Sequence, residues 1–266
     1  MIAARLIVAG LMWTAGAPES ATIVPLDAAR YAQRLVTFDN PDGPYTPEMT
    51  QADFGNSFAA KGRDFGQIRD GALRVTYVKG QKVQQTGFSA QPRITPGTQY
   101  TLSYRIRYDG DFETGLHGKQ LGFSGGAGYD GGRGQQARDN GDGWSVRMQF
   151  DAREDRVTNQ LYVYHSRMPG KYGDSLGTDR ARFTLQRGKW HEIRMRVTMQ
   201  SSPDAIDGRI EVWQDGELRF DVPGVRFVTM ESGRVIDRLR LEMFNGGGGV
   251  VPSRDSFLEI DDLRWE

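Results

Sequence analysis

The sequence predicts an all-β protein, a single-domain β-sandwich of the jelly-roll type with a short N-terminal helical segment. Strand-like segments recur along the chain with turn residues between them, and helical periodicity is weak outside residues 26–35. The predicted strands are 72–78, 101–108, 143–150, 160–165, 182–185, 191–199, 208–214, 235–244 and 257–265. Many antiparallel strands with few helices indicate two packed sheets.

Segments 144–150 and 161–165 alternate most clearly between apolar and polar residues. Successive side chains of a strand point to opposite faces, so each segment has one apolar side for the core and one polar side. The polar sides carry hydroxyl, guanidinium and amide groups: Ser145, Arg147, Gln149, Tyr162 and Tyr164. Two tyrosines opposite a Ser-x-Arg pair favour the floor of a polar binding cleft over a solvated strand face.

Two further patterns refine the predicted sheets. The pair Asp215-Gly216 between apolar runs predicts a β-hairpin. Segment 191–199 alternates cleanly, which places Arg194 and Arg196 on its polar side.

Stretches 115–143 and 245–255 are rich in glycine and interrupt the strand pattern, so we expect loops there. The part from 125 to 143 is either a surface excursion without a role or a functional insert.

Residues 1–17 have the pattern of a secretory signal peptide. Arg5 precedes an apolar run, 6–13, that is too short to cross a bilayer, and a small-x-small sequence follows it. We expect a secreted or periplasmic protein with an N-terminal segment at 18–34 and one domain at 35–266.

Composition excludes several classes of function. The chain has no cysteine, so it has neither disulfides nor thiolate nucleophiles. Thirty-four basic residues balance thirty-four acidic ones, and no basic stripe with interleaved aromatic residues indicates nucleic-acid binding. We expect a monomer that binds neither nucleic acid nor, once the signal peptide is removed, a membrane.

Common catalytic motifs are also missing. The three histidines lack the spacing of a zinc site, and no Gly-x-Ser-x-Gly motif is present. Glu259 and Asp261 share one strand face, which weakly resembles the paired carboxylates of glycoside hydrolases. We interpret them instead as structural carboxylates, at a solvated edge or holding a loop arginine.

The remaining candidates suit β-elimination in a uronic-acid polysaccharide; they are Lys119, Ser145, Arg147, Tyr162 and Tyr164. This reaction removes the proton beside the sugar carboxylate and then expels the glycosidic oxygen. The carboxylate must be neutralised, for which Arg147 with Ser145 is suited. A lysine or tyrosine near positive charge can act as the base, and a second tyrosine can act as the acid. Protein cations remove the need for a metal ion or other cofactor.

Three motifs resemble polysaccharide lyase family 14: 118–126 (GKQLGFSGG), 143–147 (GWSVR) and 161–164 (LYVY). Similar features continue downstream, so the likeness covers most of residues 110–264. The resemblance implies a β-jelly-roll lyase that acts on alginate or glucuronan, with Lys119 in the catalytic loop and the Ser-x-Arg and Tyr-x-Tyr pairs as its partners. The loop departs from the family pattern at His117, Gln120 and Leu121, which we expect to alter one wall of the cleft.

Together these observations predict a secreted lyase that cleaves a uronic-acid polymer without a metal ion. The alternative is a non-catalytic, lectin-like sandwich that binds acidic glycans, because the fold supports both roles. Further contacts to the sugar or its carboxylate are expected from His117, Gln149, His165, Arg194 and Arg196.

Overall fold

The computed structural model describes residues 34–55, 66–81, 87–177, 183–246 and 250–266. The predicted signal peptide and most of the 18–34 segment lie outside the described residues. So does most of the helix predicted at 26–35. Its final residues are described, and they belong to a strand, Arg34–Val36, that pairs with the C-terminal strand. The prediction that this helix reaches residue 35 is therefore wrong.

The described residues form sixteen strands and two α-helices. The strands are β1 (Arg34–Val36), β2 (Gly43–Pro44), β3 (Gly66–Arg69), β4 (Ala72–Tyr77), β5 (Phe88–Ala90), β6 (Arg93–Gly97), β7 (Gln99–Tyr108), β8 (His117–Gly126), β9 (Gly143–Ala152), β10 (Val157–Tyr164), β11 (Thr184–Leu185), β12 (His191–Thr198), β13 (Gly208–Gln214), β14 (Glu217–Val225), β15 (Ile236–Met243) and β16 (Ser256–Trp265). The helices are α1 (Pro47–Phe54) and α2 (Gly134–Asn140).

These strands pair into two antiparallel sheets. Sheet A has the order β14-β13-β12-β7-β16-β4-β3-β2, with β1 also paired to β16. Sheet B has the order β11-β10-β9-β8-β15-β5, with β6 also paired to β15. The predicted all-β sandwich is confirmed.

The apolar sides of the two sheets face each other and form one core. From sheet B, Trp144 and Phe150 are fully buried, and from sheet A so are Ile193, Met195 and Val197. Burying one such side chain contributes about 1.5–3 kcal/mol to stability. Since each strand gives its apolar side to this core, its polar side must face outward. The outer face of sheet B is therefore where the polar residues of β9 and β10 meet.

The hairpin predicted at Asp215-Gly216 is confirmed. Asp215 (φ 51°) and Gly216 (φ 83°) both have positive φ, as a type I′ turn requires, and they join β13 to β14.

The glycine-rich stretch 115–143 differs from the expected loop. Its first part is β8, which lies between β9 and β15 inside sheet B, and its later part contains α2. Glycine is required in β8 because neighbouring backbone approaches closely. A Cβ on Gly122 would lie 2.0 Å from the Val146 carbonyl oxygen, and one on Gly118 would lie 2.1 Å from that of Phe244.

Candidate active site

Adjacent strands of sheet B bring the predicted site residues into one row on its outer face. Tyr162 of β10 lies opposite Arg147 of β9, which lies opposite Gly122 of β8, and Gly122 lies opposite Arg240 of β15. Directly opposed residues in antiparallel strands share a face. A second row joins Lys119 of β8 to Gln149 of β9.

A β-bulge in β8 places Lys119 on this face. Between the pairs Lys119–Gln149 and Gly122–Arg147, two residues of β8 oppose one residue of β9. Lys119 and Gly122 are three positions apart, so a regular strand would put them on opposite faces. The bulge turns Gln120 inward, where it is fully buried and its Nε2 donates to Asn159 Oδ1 at 2.5 Å. The expectation that Gln120 alters the cleft wall is therefore wrong.

Lys119 is the central group of the face. Its Nζ lies 3.3 Å from the ring centroid of Tyr162 and donates a hydrogen bond to Gln149 Oε1. Burial, followed by the nearby positive charge of Arg147, lowers the pKa of Lys119 from 10.5 to about 6, against the opposing effect of Glu242. The amine is thus neutral at pH 7 and has the pKa of an effective general base.

Tyr162 is shifted in the other direction. Burial, followed by its neighbour Tyr164, raises the pKa of Tyr162 to about 12, although Arg147 and an amide hydrogen bond from Gly173 partly oppose this. The phenol therefore keeps its proton, which suits a proton donor. Two titratable groups in contact whose pKa values are moved apart have the properties of an acid–base pair.

Arg147 lies beneath the tyrosines and does not reach the cleft surface. Its side chain is 3% exposed, and Nη1 is 2.5 Å from Glu242 Oε2. Its guanidinium carbon lies 5.5 Å from the Tyr162 ring centroid and 5.7 Å from that of Tyr164. The expected direct contact of Arg147 with a sugar carboxylate is not available in this arrangement, so Arg147 can influence a bound ligand only through its charge.

Ser145 and Tyr164 hold the glycine-rich segment. The Ser145 hydroxyl is fully buried and donates to the Tyr129 carbonyl at 2.5 Å. The Tyr164 hydroxyl accepts from the Gly132 amide at 3.0 Å, and Tyr164 is only 1% exposed. Ser145 therefore has no free proton for the carboxylate of a sugar, and the predicted carboxylate role is corrected for it as well as for Arg147.

The segment 125–143 packs on the site. Tyr129, Ala137 of α2 and Met168 form a small apolar cluster with Tyr164, and Tyr162 packs against it. Of the two alternatives left open for this stretch, these contacts favour a functional insert over a surface excursion without a role.

The predicted sugar contacts divide into two groups. Gln149 and His117 are half-buried on the site face, and burial lowers the pKa of His117. His165 is mostly buried, and its Nε2 lies 3.2 Å from Asp174 Oδ2, while burial lowers its pKa. These contacts indicate that His165 holds a loop.

Arg194 and Arg196 do not belong to this site. They lie on the polar side of β12, on the outer face of sheet A, and so on the opposite surface of the sandwich. Both guanidinium groups contact the ring of Trp213, at 4.2 and 5.3 Å, and Arg196 also pairs with Glu211. The prediction that they contact the same sugar is corrected on these grounds.

The carboxylates of β16 are structural. Glu259 is fully buried and pairs with Arg74 at 2.8 Å and Arg107 at 2.5 Å. β16 lies between β4 and β7, so it is not an edge strand, and both arginines belong to strands and not to loops. Asp261 lies 3.5 Å from Arg105, and burial raises its pKa. Nothing in this cluster leaves a carboxylate free for hydrolysis.

Three charged residues beside the site were not found by sequence reasoning: Glu242, Arg240 and Asp130. Arg240 and Glu242 occupy the polar side of predicted strand 235–244, so the same alternation that identified Arg147 could have identified them.

Within the residues described, no group of three or more His, Cys, Asp or Glu side chains could hold a metal ion. The described helices include none that is long and apolar enough to span a membrane.

The family model described as polysaccharide lyase 14 matches residues 67–251. The chain belongs to this family. It is therefore a lyase, and the predicted resemblance is confirmed. Among solved structures, the alginate lyase Aly36B is 27% identical, with 88% of this chain and 96% of that chain covered and a TM-score of 0.76. A search of curated proteins returned no match.

Two further structures are similar to this polysaccharide lyase. A variant of Aly36B in complex with an alginate tetrasaccharide is 26% identical and covers the same shares, with a TM-score of 0.76. The alginate lyase vAL-1 from Chlorella virus is 15% identical over 90% of this chain and 93% of that chain, with a TM-score of 0.63. At this identity, the similarity to vAL-1 shows the fold alone.

Proposed function

We propose that this lyase cleaves a uronic-acid polysaccharide of the alginate or glucuronan class by β-elimination, outside the cytoplasm and without a metal ion. The contact between the Lys119 amine and the Tyr162 ring carries the proposal, because it joins a neutral base to a protonated acid. The similarity to Aly36B, whose variant binds an alginate tetrasaccharide, supports the substrate class.

The two groups complete the reaction without a further reactant. Lys119 Nζ takes the proton from the carbon beside the carboxylate, and the electron pair of that C–H bond forms a carbon–carbon double bond. The bond to the glycosidic oxygen breaks, and the Tyr162 hydroxyl donates its proton to that oxygen. This leaves an ammonium beside a phenolate, and transfer of the proton from Lys119 to Tyr162 restores both groups.

Stabilisation of the sugar carboxylate must come from groups other than Ser145. The side chain of Gln149 accepts from Lys119 through Oε1, which leaves its amide N–H groups to donate to a bound carboxylate. The charge of Arg147, beneath the tyrosines, favours negative charge above it. Lys119 adds a positive charge as it takes the proton, when the negative charge on the sugar is greatest.

The first prediction concerns Lys119→Ala. We expect this variant to produce none of the ultraviolet absorbance that unsaturated sugar ends give during incubation with alginate or glucuronan, because Lys119 is the lysine whose amine lies over the Tyr162 ring among the described residues. Lys189→Ala is the matched control, since Lys189 is exposed and precedes β12 of the other sheet.

Cleavage by Lys119→Ala at the rate of the parent enzyme would contradict the role of Lys119. Binding of polyuronates by the parent enzyme without unsaturated ends would instead support the lectin-like alternative.

A further inference from the structure

We infer that Glu242 is a positioning residue of this active site, which holds Arg147 beneath the tyrosines and balances its charge. The inference rests on the proposed function and extends it to a residue that does not contact the sugar. Glu242 is the second-last residue of β15, which lies on the side of β8 away from the tyrosines.

The carboxylate of Glu242 joins two buried guanidinium groups. Its Oε2 is 2.5 Å from Arg147 Nη1, and its Oε1 is 2.8 Å from Arg240 Nη2. Arg240 is fully buried and also pairs with Asp130 of the glycine-rich segment. A chain of alternating charges therefore runs from the segment, through the sheet face, to Arg147.

Burial of these guanidinium groups is unfavourable unless the carboxylates that pair with them are present. Two carboxylates, the buried Glu242 and the half-buried Asp130, balance two buried guanidinium groups. Removing one carboxylate would leave a buried cation uncompensated, which is strongly unfavourable. The Nε and Nη2 of Arg147 have no hydrogen-bond partner among the described residues, so its position depends on Nη1 and Glu242.

Glu242 also acts on Lys119 through charge. The charged and titratable groups around Lys119 come from each strand packed against it: His117 of β8, Arg147 and Asp151 of β9, Tyr162 of β10 and Glu242 of β15. Arg147 lowers the pKa of Lys119 and Glu242 raises it. A neutral residue at 242 therefore makes Lys119 lose its proton at a lower pH.

The chain offers a matched control for this buried ion pair. Glu259 is likewise fully buried and shared by two arginines, Arg74 and Arg107, but it lies on the outer face of sheet A. Glu259→Gln therefore removes a comparable charge at a distance from Lys119. A loss that reflects general destabilisation will occur in both variants, whereas a positioning role is specific to Glu242.

The test compares pH profiles of kcat/KM on alginate for the parent, Glu242→Gln, Glu242→Asp and Glu259→Gln. Activity needs neutral Lys119, so the parent should gain activity as pH rises through about 6. In Glu242→Gln we expect this rise at a lower pH and kcat reduced by about 10²-fold, the cost of a small misplacement. Glu242→Asp keeps the charge, so it should keep the parent's pH dependence while kcat falls.

A second measurement separates this inference from the proposed function. The chain has six lysines, so the titration of Lys119 can be followed by NMR of isotope-labelled lysine and assigned with Lys119→Ala. A downward shift of its midpoint in Glu242→Gln, absent from Glu259→Gln, supports the inference even if alginate is not a substrate. An unchanged midpoint overturns it. If Glu242→Gln does not fold, Glu242→Asp decides: reduced kcat with an unchanged profile supports the inference, and parental kcat overturns it.

Discussion

The proposed acid–base pair shows how one physical cause moves the pKa values of two residues in opposite directions. Burial disfavours whichever form of a group is charged. For Lys119 that form is the ammonium, so its pKa falls, and for Tyr162 it is the phenolate, so its pKa rises. The same half-buried surface therefore gives Lys119 and Tyr162 the pKa values that the proposed base and acid need.

A prediction at this scale concerns Tyr162→Phe. The substitution removes the acidic hydroxyl and keeps the ring that contacts Lys119, so kcat should fall by about 10²–10⁴-fold, the usual contribution of general acid–base catalysis. Steady-state kinetics on alginate would measure it, with KM nearly unchanged. Tyr172→Phe is the control, because Tyr172 is an exposed residue of the following loop. A Tyr162→Phe enzyme as fast as the parent would assign the proton donation to another group.

Single residues were predicted in part from sequence. Alternation placed Arg147 and Tyr162 on a common face, and the register confirms that juxtaposition. It could not reveal that the Ser145 hydroxyl is used by the Tyr129 carbonyl, because this contact depends on the path of a distant segment. Sequence patterns indicate which face of the sheet a side chain occupies. They do not indicate which hydrogen-bond partner its polar group already has.

Among the elements, β8 determines the geometry of the site. Its glycines allow β9 and the chain after β15 to approach closely, and its bulge rotates Lys119 onto the outer face. The sequence predicted a loop here because glycine is normally unfavourable in strands. That reasoning fails where close backbone approach, and not chain reversal, is the reason for glycine.

The prediction for this element is that Gly122→Ala destabilises the protein and reduces activity. The new Cβ would lie 2.0 Å from a carbonyl oxygen and 2.8 Å from the Cα of Arg147, so β8 and β9 must separate. We expect a loss of about 1–3 kcal/mol in the free energy of unfolding, as for other overpacked sites. Chemical denaturation would measure it. Gly110→Ala is the control, since its Cβ would meet no atom within 4 Å, and equal stability of the two variants would contradict the argument.

Considered as a whole molecule, the described chain has one large core to which both sheets contribute. Trp144 of β9 and Trp265 of β16 are both buried in it, although they belong to different sheets. This shared core supports the proposal that residues 35–266 form a single domain. The sandwich was predictable because most of its strands alternate regularly, whereas short strands such as β2 and β5 are too brief to show a pattern.

A whole-molecule prediction follows from the shared core. Unfolding in urea should be a single cooperative transition, because neither sheet can keep its apolar side buried without the other. Tryptophan fluorescence, to which the buried Trp144 and Trp265 contribute along with the chain's three other tryptophans, and far-ultraviolet circular dichroism should give the same midpoint. Two separated transitions would show that the sheets are independent units.

The neutral amine of Lys119 also links folding to proton uptake. In the unfolded chain the amine has its ordinary pKa of 10.5, whereas in the folded chain the pKa is about 6. Between these values unfolding binds a proton, so this residue makes the folded state more stable as pH rises from about 6 towards 10.5. Below about 6 the amine is protonated in both states, so the folded state carries the full cost of burying the ammonium group. Lowering the pH from about 10.5 to about 6 therefore weakens the fold, and the neutral amine of the folded protein is lost only at the acid end of that range.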